Sequence, residues 1–180
     1  MDGSVNHYTK IENVSKTLVN LLWNSIKDDP RVNAIITNEK QISLSSPKKF
    51  DSKTSTKISI LLYNISKFPN MKNTPVNNPN EPSSSMYLTL HYLITPHTRS
   101  PERDHILLGK IIQIFTDNLL LQGNILLGNR DNEDTELKVM MDPLSINDLN
   151  KLWMMLKTQY KLSLSYTVSP VKIESTHSTK

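Results

Sequence analysis

The chain has 180 residues, no cysteine, and 21 Lys+Arg against 17 Asp+Glu, for a formal net charge of +4. That length suits a single domain, 1–180, able to bury a real core. The lack of cysteine excludes a disulfide scaffold, a thiolate metal site and a cysteine nucleophile. No apolar run approaches the roughly 20 residues that span a bilayer, and the first residues, MDGSVNHYTK, lack the apolar core of a secretory signal. Four glycines against ten prolines argue against glycine-rich nucleotide loops. Arginine occurs only at Arg31, Arg99, Arg103 and Arg130, and Lys48-Lys49 is the one adjacent basic pair. This scatter reads as a solvated basic surface rather than a nucleic-acid stripe.

The first element predicted is a helix over about 9–27. Ile11, Val14, Leu18 and Leu21 recur on one face, with Leu22 and Ile26 broadening it. Thr9 and Glu12 have capping-box spacing, and Asp28-Asp29-Pro30 ends the helix. Short strands are expected at 32–37 and 41–45, with a polar loop between 45 and 57. Residues 57–65, KISILLYNI, read as a strand buried on both faces. The proline- and asparagine-rich stretch 66–85 excludes a regular element. Residues 86–95 alternate as a half-buried strand pairing antiparallel with 57–65.

Ser100-Pro101 opens a second helix, expected to run to about Leu121 with a stripe of Leu108, Ile111, Ile112, Phe115 and Leu119. Gly109 inside it suggests close packing against a neighbouring backbone. Residues 128–136 form a charged loop and 137–142 a short strand. Ser145 caps a third helix, with Asp148 at its third position and Ile146, Leu149, Trp153 and Leu156 on its face. Residues 161–169 alternate as a one-sided strand, and the last residues read as frayed. The order describes an α+β domain: a mixed or antiparallel sheet with helices on one side, its core spanning about 9–173.

Catalytic patterns are missing. There is no HExxH, no GxSxG elbow and no GxxxxGK[ST] loop. His97, His105 and Glu102 sit close in sequence, but the spacing matches no familiar metal site. Asp28-Asp29 and Glu133-Asp134 lie in polar turns, where the burial that separates two carboxyl pKa values is not expected. Tyr63, Tyr87, Tyr92, Trp153 and Tyr166 fall on strands or helix faces and read as core rather than as base-stacking platforms. Asn13-Val-Ser15 and Asn64-Ile-Ser66 match the glycosylation triplet by chance. No enzyme, cofactor or metal is expected.

The order of segments resembles a known family. Strand 58–64, ISILLYN, precedes an asparagine- and proline-rich loop and then LTLHYLIT, 88–95. A helix carries HILLGKIIQIF, 105–115, and LNKLWMMLK, 149–157, precedes LSLSYTVSPV. The most specific pieces are Leu107-Leu108-Gly109 with Gln113, and Trp153 before the strand at Leu162. Together they resemble the N-terminal domain of tail-cap, or tail-terminator, proteins of extracellular contractile injection systems of the antifeeding-prophage type. Asn64 departs from the acidic residue usual in that family, and the C-terminal region that some members carry is absent.

The resemblance implies a non-enzymatic structural protein. It would form a homo-hexameric ring on the distal end of an inner tube and contractile sheath, with tube and sheath proteins as partners. It would bind no small molecule, nucleic acid or membrane. It would assemble in the cytoplasm and leave in a released particle. Contacts with tube or sheath are expected from the loops 69–85 and 96–104, and the loop 128–136 is expected to line a ring face, with Lys72, Asn73, Asn77, Arg99, Arg103 and Arg130 as partner-binding residues. A neck or head–tail connector ring and a small basic nucleic-acid-binding module remain the alternatives.

Overall fold

The computed structural model describes residues 7–47, 56–69, 85–128 and 136–174. Its centre is a six-stranded sheet in the order β1-β2-β3-β6-β5-β4. The strands are β1 (Ile42–Ser43), β2 (Ile58–Lys67), β3 (Ser85–Pro96), β4 (Leu120–Leu121), β5 (Leu137–Met141) and β6 (Leu164–Glu174). Only β1 and β2 pair in parallel, and every other neighbour is antiparallel. The long strands β2, β3 and β6 hold the middle, and both edges are strands of two residues. Such short edges offer little unpaired backbone to an incoming strand.

Helices α1 (Lys10–Ile26) and α3 (Pro101–Asp117) cover one face. On α1, Val14, Leu18, Leu22 and Ile26 are buried at four-residue spacing, so one stripe meets the sheet. On α3 the buried residues are Leu107, Leu108, Ile111, Ile114 and Phe115. These side chains close on Leu90, Tyr92 and Ile94 of β3, and on Tyr166 and Val168 of β6, in one core. Phe115 and Tyr166 meet edge to face with centroids 4.7 Å apart. Tyr92 is fully buried, and its hydroxyl lies 2.9 Å from Ser15 Oγ, tying α1 to the central strand.

Helix α4 (Ile146–Leu156) packs on the opposite face, where Leu152 and Trp153 meet Leu93, Leu61 and Tyr63. The expectation of helices on one side is therefore corrected. Leu93 and Thr95 are as buried as their neighbours, because β3 is covered on both faces along its second half. No helix among the described residues is long and apolar enough to cross a membrane.

Several local expectations change. Residues 30–33 form a helical turn, α2, rather than a strand. Asp29 caps it, accepting from the Arg31 and Val32 backbone N–H groups, and Lys110 Nζ pairs with the same carboxylate at 2.9 Å. Proline at the first helical position favours that turn. Thr9 makes no side-chain cap bond, since a 3₁₀ turn precedes α1 and Glu12 pairs instead with Lys16 at 2.6 Å. Helix α3 stops at Asp117 so that Leu120-Leu121 can pair with β5. Its stripe is rotated from the predicted one, leaving Ile112 and Leu119 exposed. Gly109 approaches no backbone: a Cβ there would have nothing within 4 Å. Ile146 is 86% exposed, so the buried face of α4 begins after its first turn.

Strand β6 runs past Pro170 to Glu174. The β3–β6 register shifts between Leu88 and Leu90, opposite Ser169 and Pro170. A proline has no N–H for the ladder, and a bulge accommodates it inside a central strand.

Candidate functional site

The turn from β3 into α3 was expected to carry partner contacts, and it is built as a rigid unit. Asp104 Oδ1 accepts from the Thr98 backbone N–H at 2.7 Å, and Thr98 Oγ1 donates to the Ser100 carbonyl at 2.8 Å. Ser100 Oγ accepts from the Arg103 N–H and donates to Glu102. Arg99 and Arg103 are both exposed on this turn. Lys72, Asn73, Asn77 and Arg130 lie outside the described residues.

Beneath the turn, His97 is 3% exposed and its Nε2 lies 2.7 Å from Ser59 Oγ. Burial, with a smaller push from Lys161, lowers its pKa to about 3, so the ring is neutral. His97 is thus engaged in the sheet while Glu102 bonds Ser100. Among the described residues no three metal-ligating side chains converge.

The second sheet face carries a row of polar pairs that sequence reading missed. Thr95 meets Ser163 at 2.9 Å and Tyr63 meets Ser165 at 3.0 Å. Burial, the largest influence, raises the Tyr63 pKa; the Ser165 bond opposes that and Asp142 adds to it. Ser66 Oγ lies 2.8 Å from His91 Nε2, and Asp142 lies 3.7 Å from His91 Nδ1. The order serine–histidine–aspartate suggests a nucleophile and its base. The aspartate contact is longer than a hydrogen bond. All three residues also stand outside the cleft formed by α4 and residues 157–161.

That cleft, about 750 Å³, lies between the C-terminal half of α4 and residues 157–161. Asn150, Trp153 and Met154 form one wall, Lys157, Tyr160 and Lys161 the other, and Pro47 closes it just past β1. Trp153 is 3% exposed and meets the Tyr160 ring edge to face at 5.7 Å. Its indole N–H is buried without an acceptor among the described residues. Met154 and Tyr160 are 69% and 58% exposed. Lys157 ends α4 in the left-handed conformation, φ 51 and ψ 42, a place that glycine usually fills. Holding a lysine there costs about 1 kcal/mol. No lining residue carries a carboxylate.

Sequence reading placed Trp153 on a helix face and stopped there. The cleft arises because the chain leaves α4 at Lys157 and returns to start β6, which periodicity cannot reveal.

No curated protein matches the sequence. Two solved structures share the fold. One is the PVC sheath/tube terminator of an extracellular contractile injection system in its extended state: TM-score 0.62, 17% identity, 93% of this chain and 57% of that one. The other is the anti-feeding prophage tube-terminating cap: TM-score 0.57, 17% identity, 91% of this chain and 55% of that one. The chain spans little more than half the length of each. The model of the Pvc16 N-terminal domain family matches residues 13–180, and the chain belongs to that family.

Proposed function

We propose that this chain caps the distal end of the inner tube and contractile sheath of a phage-tail-like injection system. It does so as a hexameric ring that stops polymerisation and sets particle length. The observation that carries this reading is the fold shared over 93% of the chain with a sheath/tube terminator. The physical logic agrees with it. A growing tube end presents a repeating surface on which each ring templates the next. A terminator must match that surface on one side and offer no equivalent on the other. A sheet whose edges are two-residue strands suits the outer side of such a ring.

Tube and sheath proteins are the partners in this reading. The rigid turn bearing Arg99 and Arg103 is a contact region, and Lys72, Asn73, Asn77 and Arg130 belong to further contact loops. The protein acts without catalysis, during assembly in the cytoplasm and then as part of a released particle. The test is co-expression of tube and sheath proteins with and without this chain, followed by length measurement in negative-stain images. Narrowly distributed lengths only when the chain is present are expected. Identical distributions would refute capping.

A further inference from the structure

We propose that the cleft between the C-terminal half of α4 and residues 157–161 docks an extended segment of a partner protein, one that presents an apolar side chain beside a carboxylate. The proposal goes beyond the capping reading and does not require it.

The apolar half of the match lies in the walls. Trp153 is buried in one of them, and Met154 and Tyr160 stand exposed at the rim. Met155 and Leu162, each next in the chain to a lining residue, are 72% and 52% exposed. Apolar surface therefore runs on from both walls. A small molecule seated inside the cleft would leave that surface wet, whereas a chain crossing the cleft covers it. The two thioethers adapt their shape to whatever apolar group arrives. Asn150 and Gln159 add carboxamides, each able to donate and to accept, which a passing peptide backbone requires.

The polar half lies in one cation and one donor. No lining residue carries a carboxylate. Lys161 is already engaged, its charge bearing on His97. Lys157 is exposed and forms no ion pair among the described residues, so it is the cation that an incoming chain meets. Glycine would hold the left-handed backbone there at less cost, and what the lysine adds is its ammonium group. The Trp153 indole N–H is buried without an acceptor among the described residues, and a carboxylate oxygen would satisfy it. Tyr160 rests edge to face against that indole and is exposed, so its ring can turn aside to admit the oxygen. A carboxylate then meets both groups while the neighbouring apolar side chain enters between Met154 and Tyr160. Nucleic acid fits less well, because tracking a phosphate backbone calls for a row of cations.

A peptide titration of the isotope-labelled full chain tests this. The sequence has two tryptophans, so the indole region of a proton–nitrogen correlation spectrum holds one signal for each, assigned with Trp23→Phe. The probe is a short capped peptide with one leucine flanked by glutamates, and the control replaces the glutamates by lysines. The glutamate peptide is expected to shift the Trp153 indole signal, leave that of Trp23 in place, and bind with Kd about 1 mM. The lysine peptide should bind about tenfold more weakly. Lys157→Glu should weaken the glutamate peptide on the order of tenfold, and Lys157→Arg should retain it, with thermal melting to confirm that both variants fold.

Equal binding of the two peptides, a Trp153 signal that stays in place, or a Lys157→Glu variant that binds like the wild type would each overturn the proposal. So would a single-stranded oligonucleotide that moves the same signals more strongly than the glutamate peptide does. The titration uses no tube or sheath protein, so its outcome is independent of the particle-length assay.

Discussion

The bond between Tyr92 and Ser15 is where the packing of α1 on the sheet can be measured. Ser15 Oγ donates its single proton to the Ile11 carbonyl at 3.0 Å, so Tyr92 donates to Ser15 at 2.9 Å. Tyr92 is 0% exposed and Ser15 is 7% exposed. Replacing Ser15 by alanine strands a phenol hydroxyl in the core, a loss of about 2 kcal/mol. Better helix propensity returns about 0.5 kcal/mol of that. Replacing Tyr92 by phenylalanine leaves Ser15 bonded to Ile11, so the loss is about 1 kcal/mol. The double variant, with neither hydroxyl, has no orphan and is expected to be no less stable than Ser15→Ala alone.

Urea unfolding at constant slope reads all four members of the cycle. Strictly additive effects, or a larger loss for Tyr92→Phe than for Ser15→Ala, would refute the proton assignment. The same burial pushes the Tyr92 pKa up to about 12 from 10.0. The folded state therefore holds its proton where the unfolded chain releases it. Stability is full below pH 10 and falls by about 3 kcal/mol as pH rises towards 12. Tyr92→Phe removes that alkaline decline.

Further outcomes follow from single positions. Gly109→Ala should stabilise α3 by about 1 kcal/mol, read as a rise in unfolding midpoint, because a Cβ there meets nothing within 4 Å. Gly128→Ala should destabilise by about 1–2 kcal/mol in the same assay: φ is +71° and the new Cβ would lie 2.3 Å from the Asn13 side-chain nitrogen. Lys157→Gly should raise stability by about 1 kcal/mol by relieving the left-handed cap, read as a higher unfolding midpoint. His97, lowered to about 3 from 6.5, contributes stability that is complete above pH 6.5 and lost as pH falls towards 3. Imidazole proton shifts in NMR should show it neutral at pH 5, and His97→Gln should flatten the acid limb of stability against pH.

Long periodic segments were legible before the structure. Ile11, Val14, Leu18 and Leu21 are spaced by three, four and three residues, with Leu22 and Ile26 beside them, and only a helix turns that mixed spacing to one side. Ser100-Pro101 and Ser145 state their helix starts through side-chain chemistry, and both caps form. Errors arose where tertiary pairing overrode local preference. Leu119 to Leu121 continue a helical pattern in composition, yet the ladder with Leu137 and Lys138 draws Leu120-Leu121 into the sheet. Val32 to Thr37 look like a strand, but Asp29 and Pro30 together nucleate a helical turn that Lys110 then secures. The side on which α4 packs could not be read at all. Leu93 and Thr95 carry the odd-numbered face of β3, and leucine there among polar neighbours gave too weak a signal of a second covered face.

The candidate surface was legible as chemistry but not as place. Sequence reading marked Arg99 and Arg103 from the length and polarity of the stretch 96–104. It did not show the bonds that pin that turn: Asp104 accepting from the Thr98 N–H, and Thr98 Oγ1 donating to the Ser100 carbonyl. A short polar stretch reads the same whether it is loose or fixed by its own side chains, because periodicity carries no record of them. The cleft beside Trp153 was hidden for a related reason, since it exists only where the chain past Lys157 turns back towards β6. The two-residue edge strands constrain what such a surface can do. With so little open ladder at either edge of the described sheet, backbone pairing contributes little to joining another chain, and side-chain complementarity must carry such a contact.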